Sequence, residues 1–259
     1  MSADIHPSAI IEDGATIGAG CKIGPFCVVG KDVVLHDRVE LKSHVVVTGQ
    51  TSVGEDTVIF SFSVIGEIPQ DLKFNGETTR LEIGARNRIR EHVTMNTGTE
   101  GGGGLTKVGD DGLFMAGCHV AHDAIIGDRV IVVNSTAVAG HCHIGDDVII
   151  GGLCGIHQWV RIGQGAIIGA LSMVTADVIP YGLVQAPRGE LDGLNLVGLK
   201  RRGVPRGDIT ALRAALKAMA SGDGTFQERV RGLDADSEYV RQIVEFVTGA
   251  SDRSFLTPS

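Results

Sequence analysis

From Ile5 onward an aliphatic residue returns at every sixth position: Ile11, Ile17, Ile23, Val29, Leu35, Leu41, Val47, Val53, Ile59 and Ile65. Glycine often follows it, as at Gly18, Gly24, Gly30, Gly54 and Gly66. The phase breaks at "EIPQDLKFNGETTRLE", resumes at Ile83, Ile89 and Met95, and breaks again at "GTEGGGGLTK". It then runs unbroken from Val108 through Phe114, Val120 and Ile126 to Val174. Self-similarity at a short fixed period is the signature of a solenoid. Each hexad reads as a short strand and a turn, and three hexads make one coil of a triangular prism, hydrogen-bonded to the next coil ~4.8 Å away. The aliphatic residue fills the interior, and the glycine beside it tolerates the corner geometry. The two interruptions are loops that leave the prism, and long ordered loops often carry function.

The repeat decays after "ADVIPYGLVQAPRG". From Pro205 the spacing becomes helical, with Ile209, Leu212, Leu216 and Met219 on one face and "SGDG" as the stop. Shorter helical patterns follow near Phe226–Val230 and Tyr239–Val247. The pattern therefore predicts an all-β solenoid, a parallel β-helix over residues 1–186, followed by a small helical domain over 187–259.

Composition sharpens this picture. Hydrophobic residues make up 43% of the 259 residues but aromatic ones only 4%, which suits a narrow interior of Val and Ile. A formal charge of −8 argues against a nucleic-acid binder, which would present a basic surface. The start, "MSADIHPSAI", lacks the basic and apolar regions of a signal peptide, and no run reaches the ~18 apolar residues of a membrane span, so a cytoplasmic location is expected. Cys21, Cys27, Cys118, Cys142 and Cys154 all occupy the fifth hexad position, which also turns inward and must be small. They read as buried small hydrophobes, not disulfide partners or metal ligands, and an odd count without paired spacing fits a reducing compartment. "GGGG" at 101–104 lacks the Gly-Lys-Ser/Thr ending of a phosphate loop.

The chemistry gathers in "CHVAHDAIIG", residues 118–127. With eighteen residues per coil, His122 stacks under Gly140, beside His141, and under Gln158, beside His157. The expectation is a vertical line of His122, His141 and His157/Gln158 on outward-pointing positions, with His119 close below. Single surface histidines are usually incidental. A column of them beside Asp123 suits general-base work near neutral pH, since a carboxylate can orient or charge-stabilise an imidazole.

"IGPFCVVG", "LKSHVVV", "IGEIPQDLKF", "RNRIRE", "GGGLTKVG", "HVAHD", "AGH", "IHQW" and "GLNLVGLKRRG" follow in order along almost the whole chain. Together they closely resemble the UDP-N-acetylglucosamine O-acyltransferases that begin lipid A synthesis; "AHD", "QDLK" and "GLKRRG" are more specific than the hexads, which many acyltransferases share. The resemblance implies a left-handed parallel β-helix, a homotrimer with active sites between adjacent subunits, a 3-hydroxyacyl donor on acyl carrier protein, and the 3-hydroxyl of UDP-N-acetylglucosamine as acceptor. It implies His122 as general base, Asp123 as its support and the Gly140 backbone N–H as oxyanion donor, with no covalent intermediate, cofactor or metal. Asp71 and Lys73 would approach the glucosamine and phosphate region, and His119, His141, His157 and Gln158 would line the cleft. Asn195, Arg201 and Arg202 would hold the nucleotide or the carrier arm. Val197 stands where relatives often carry an acidic residue, so the resemblance implies one carboxylate contact to the nucleotide that this chain lacks. Ala170, where glycine is common, would cap the acyl groove and shorten the accepted chain. Some relatives use the 3-amino analogue of the sugar nucleotide.

Three rival readings share parts of this pattern. Zinc carbonic anhydrases of the β-helix class place three histidines at a subunit interface, but lack these loops and "GLKRRG". A purely structural solenoid would scatter its polar exceptions instead of gathering them at one edge. A sibling N-acyltransferase of the pathway would usually carry a separate N-terminal domain. Finally, Arg202, Arg206, Arg213 and Lys217 recur at helical spacing in an acidic chain, a stripe suited to docking the acidic carrier protein or simply a solvated face.

Overall fold

Successive side chains of a strand point to opposite faces, so a two-residue strand can offer one residue to the interior and one to the outside. Strands such as Ile125–Ile126 and Ile149–Ile150 do this, the first residue half-buried and the second fully buried. The structure, a computed structural model, describes residues 2–187, 189–251 and 253–258. Among these residues, three sheets of eleven, nine and eight strands form the faces of a left-handed parallel β-helix. Strand partners stand eighteen residues apart, as in Lys22↔Glu40 and Ile131↔Ile149. Across the two interruptions the step widens, to Val58↔Arg88 and to Thr94↔His119, so the extra residues leave the prism as loops without disturbing its phase.

The interior is one continuous aliphatic column from Cys21 to Val184, with Phe114 its largest member. Burying each such side chain stabilises the fold by about 1.5–3 kcal/mol. All five cysteines are free and buried in it. Their thiols turn toward backbone carbonyls, Cys27 Sγ to Lys42 O at 2.7 Å and Cys142 Sγ to His157 O at 3.1 Å, and burial pushes the Cys142 thiol up to about 12.

Most corners turn through a residue with left-handed backbone, which in a non-glycine residue costs about 1–2 kcal/mol. What projects from a corner is therefore repeated on every coil. One corner carries Arg38, Asp56, Arg86, Asp111, Arg129 and Asp147, an alternating ladder whose ion pairs are 2.7 to 2.9 Å long. The second stacks Phe26, His44, Phe62 and His92, with ring centroids 4.9 to 5.2 Å apart, and continues to Leu153 and Leu171. The third carries Asp123, His141 and Trp159.

The solenoid ends in an antiparallel hairpin, Gly182–Gln185 with Glu190–Leu194. Among the described residues four helices follow: α1 (Leu196–Arg201), α2 (Arg206–Ala220), α3 (Phe226–Arg231) and α4 (Glu238–Thr248). Ile209, Leu212 and Met219 are buried in a second core that also holds Ile179, Tyr181, Leu199, Ile243 and Val247, while Leu216 packs at its edge. The helix α1 precedes the helical spacing read from Pro205; Asn195 starts it by accepting the Gly198 N–H at 2.9 Å. Thr225 and Glu228 form a reciprocal cap at the start of α3. Among the described residues no helix is long and apolar enough to cross a membrane.

Candidate active site

Asp123 occupies a corner with φ 59°, and its backbone N–H donates to Thr106 Oγ1 at 2.8 Å. The carboxylate is wrapped by the second loop. Thr99 donates its N–H to Oδ1 at 2.8 Å and its hydroxyl to Oδ2 at 2.6 Å. A Cβ on Gly102 would lie 2.1 Å from Asp123 Cγ, and one on Gly98 would lie 2.8 Å from Oδ1. The glycine-rich run thus serves to bring backbone against a carboxylate. His122 completes the group, its Nδ1 lying 2.8 Å from Asp123 Oδ2.

A carboxylate only accepts, so this contact places the proton on His122 Nδ1 and leaves the Nε2 lone pair free. A Cβ on Gly140 would sit 2.7 Å from that Nε2, so only glycine leaves the space open. The Gly140 N–H donates to no group among the described residues. His122 and Asp123 project from the prism, as the hexad phase requires, but they are not surface groups: the loop leaves them only 5% and 4% exposed.

His141 meets His122 edge-on at 5.0 Å, lies 3.7 Å through Nδ1 from Asp123 Oδ2, and stacks face-on against Trp159 at 3.8 Å. Its pKa is held below the usual 6.5 by burial, opposed by the charge of Asp123. His119, below, hydrogen-bonds Thr94 Oγ1 at 2.8 Å, and burial and then the charge of His122 lower its pKa. The expected column needs one correction. The residue stacked on His141 is Trp159, because corner residues repeat at 123, 141 and 159; His157 lies on the row of Ala121 and Ala139. Trp159 was hidden in the sequence as one more apolar residue, although eighteen-residue counting from His141 points straight at it.

His157 and Gln158 are exposed one coil above, where Arg253 Nη2 donates to His157 Nδ1 at 2.9 Å and to Gln158 O at 2.6 Å. Asp71 lies in the first loop close enough for its charge to act on His141, and its Oδ1 accepts the Lys73 N–H at 3.0 Å. Lys73 itself is exposed. The remaining expected residues lie at other corners. Asn195 is buried, its amide spent on Gly198 N and Gly165 O, both at 2.9 Å, beside the charged-ladder corner. Arg202 lies over the Tyr181 ring at 5.8 Å and Arg201 is exposed nearby. Ala170 is exposed at the corner of Leu153 and Leu171. One chain therefore gathers His119, His122, Asp123, Gly140, His141 and Asp71, and leaves Asn195, Arg201, Arg202 and Ala170 on separate edges.

Residues 177–256 match the model of the second domain of the UDP-N-acetylglucosamine O-acyltransferases, and residues 14–49 and 141–176 match the bacterial transferase hexapeptide repeat. A relative from Caulobacter vibrioides, an acyl-[acyl-carrier-protein]--UDP-N-acetylglucosamine O-acyltransferase, is 58% identical over 98% of both chains. The chain belongs to this family. A Paracoccus denitrificans relative of the same name is 64% identical over 78% of this chain and 77% of its own. The solved UDP-N-acetylglucosamine acyltransferase of Campylobacter jejuni superimposes with a TM-score of 0.92 at 34% identity, covering 99% of this chain and 100% of that one.

Family membership and donor chemistry together dispose of the zinc hydratase reading. Ligand atoms of His122, Asp123 and His141 do lie within 4.8 Å of one another. However, His122 Nδ1 and both Asp123 oxygens are engaged with each other and with Thr99, and the group offers two imidazoles where that zinc class uses three.

Proposed function

We propose that the chain transfers a 3-hydroxyacyl group from the thioester of acyl carrier protein to the 3-hydroxyl of UDP-N-acetylglucosamine, the first step of lipid A synthesis. The observation that carries this reading is the Thr99–Asp123–His122 chain, which leaves one imidazole nitrogen free beside a Gly140 N–H that has no partner among the described residues. In this mechanism His122 Nε2 takes the proton of the sugar 3-hydroxyl as that oxygen attacks the thioester carbonyl. Asp123 supports the resulting imidazolium. The Gly140 N–H donates to the oxyanion, a contact typically worth about 2.7–4 kcal/mol in the transition state. Collapse expels the carrier thiolate, which takes the proton back from His122, leaving an ester on the sugar and a free thiol. No cofactor, metal or covalent enzyme intermediate enters.

The separation of the other residues supports a homotrimer. Asn195, Arg201, Arg202 and Ala170 lie on edges that a single prism holds apart from His122, and a neighbouring prism laid alongside can bring such edges together. In that arrangement Asp71, Lys73, His119, His141, His157 and Gln158 bind the sugar and phosphates, Asn195, Arg201 and Arg202 hold the nucleotide or the carrier arm, and Ala170 with exposed Leu153 and Leu171 bounds the acyl groove. Arg206, Arg213 and Lys217 on α2 are exposed, and with Arg202 they offer the acidic carrier a basic face. The setting is the cytoplasm. The test is mass spectrometry of products formed from mixed 3-hydroxyacyl carriers and either UDP-N-acetylglucosamine or its 3-amino analogue. Ester on the former is expected; transfer only to the amine, or to neither, would overturn the proposal.

A further inference from the structure

After α4, Ser251, Ser254 and Leu256 lie against the prism, fastened there at one fully buried aspartate. Asp177 accepts Arg161 N at 2.8 Å, Arg161 Nε at 2.7 Å and Ser251 Oγ at 2.7 Å. Its backbone pairs with Ser254 O and Leu256 N, both at 2.8 Å, and Arg161 lies over the Phe246 and Phe255 rings at 4.6 and 5.7 Å. This fastening holds Arg253 beside a cavity of about 460 Å³ whose walls include His141, His143 and Trp159.

Arg253 makes its two short contacts with the residues one coil above His141, and one of them decides a proton position. A guanidinium only donates. Contact from Arg253 Nη2 at 2.9 Å therefore requires His157 Nδ1 to be the unprotonated nitrogen, which puts the proton on Nε2. The same nitrogen lies 3.2 Å from Gln158 O, an acceptor, so without Arg253 the Nδ1 would gain by carrying the proton itself. At present Gln158 O is occupied by Arg253 at 2.6 Å. His157 is exposed, and its Nε2 has no partner among the described residues.

We propose that Arg253 is a positioning residue for the acceptor site: it holds His157 as the Nε2–H tautomer, so that the ring presents a hydrogen-bond donor to an anionic or hydroxylated acceptor. The inference rests on the functional reading above for the identity of that acceptor, but not for the tautomer itself. Losing the guanidinium turns His157 Nε2 from donor into acceptor and so removes one hydrogen bond to phosphate or sugar.

The experiment compares wild type with Arg253→Met, which keeps the stem but donates nothing, and Arg253→Lys, which still donates. In ligand-free protein labelled with ¹⁵N-histidine, with His157→Gln for assignment, wild type and Arg253→Lys should show His157 as Nε2–H. Arg253→Met should show it as Nδ1–H. In the transfer assay Arg253→Met should raise KM for UDP-N-acetylglucosamine about fivefold, the size of one lost hydrogen bond, with kcat and carrier KM little changed and Arg253→Lys restoring most of the loss. An unchanged His157 tautomer in Arg253→Met, or equal KM losses in both variants, overturns the proposal. Failure of wild type to bind UDP-N-acetylglucosamine would defeat the functional reading instead, while the ligand-free tautomer measurement still decides the role of Arg253.

Discussion

Replacing Gly140 by alanine adds one methyl group at the point where the account needs empty space. The backbone permits it, because Gly140 is absent from the residues with left-handed φ. The side chain does not. The new Cβ would start 2.6 Å from His122 Cε1 and 2.7 Å from Nε2. Ordinary contact begins at 3.4 Å, so the ring must retreat by about 0.8 Å, the difference from 2.6 Å. It cannot do so freely, since its Nδ1 is held 2.8 Å from Asp123 Oδ2 and Asp123 is itself held by Thr99. Either the hydrogen bond stretches or Nε2 turns away from the acceptor. A misplacement near 1 Å in a catalytic group costs on the order of 10²-fold in rate, and overpacking typically costs about 1–3 kcal/mol of stability. Steady-state kinetics on purified Gly140→Ala should therefore show kcat reduced on the order of 10²-fold, with a folded protein by circular dichroism and a modestly lower Tm. A kcat within threefold of wild type would show that the His122 ring position is not what the geometry makes it.

Chain length should follow Ala170: Ala170→Gly is expected to move product distribution toward longer acyl chains in competition assays, each added buried methylene contributing up to ~0.8 kcal/mol. An unchanged distribution assigns the ruler elsewhere. Reversing Arg213 and Lys217 to Glu should raise the carrier KM, most at low salt, and leave UDP-N-acetylglucosamine binding unchanged; no change in carrier KM or its salt dependence reduces the stripe to a solvated surface. The lowered pKa values of His119 and His141 set a pH dependence of stability. Because burial disfavours their charged forms, the unfolded chain binds more protons below about pH 6.5, so stability is full above that pH and falls as pH drops through it. Tm measured across that range should fall less steeply in His119→Gln than in wild type, and equal slopes would contradict the assignment.

The solenoid was legible because its determinant is local and repeated: an inward aliphatic every sixth residue admits one phase, and a slip would put Ile126 outside and Asp123 inside. His122 and Asp123 were legible for the same reason, as ionisable exceptions to a packing rule. Their burial was not, because it depends on Thr99 and the glycines of a loop whose path the hexads do not encode. Trp159 falls on the row reached by counting eighteen from the left-handed corner at Asp123, a row that counting from His122 misses by one residue. Arg253 lies 96 residues from His157, and nothing in the spacing of either residue links them; only the fastening at Asp177 brings them together. The roles placed on Asn195 and Arg202 came from resemblance alone, and the capping of α1 by Asn195 is what the structure adds.

The central claim is that His122 removes the acceptor proton. It is tested most directly by measuring transfer from a 3-hydroxyacyl carrier to UDP-N-acetylglucosamine by His122→Ala, alongside calorimetric binding of the sugar nucleotide to the same protein. Loss of a general base typically costs ~10²–10⁴-fold, and here the buried position adds a small cavity without touching the aliphatic column. The account predicts a rate lowered by at least about 10²-fold in a protein that still assembles and still binds the sugar nucleotide. Transfer within a few-fold of wild type would contradict it.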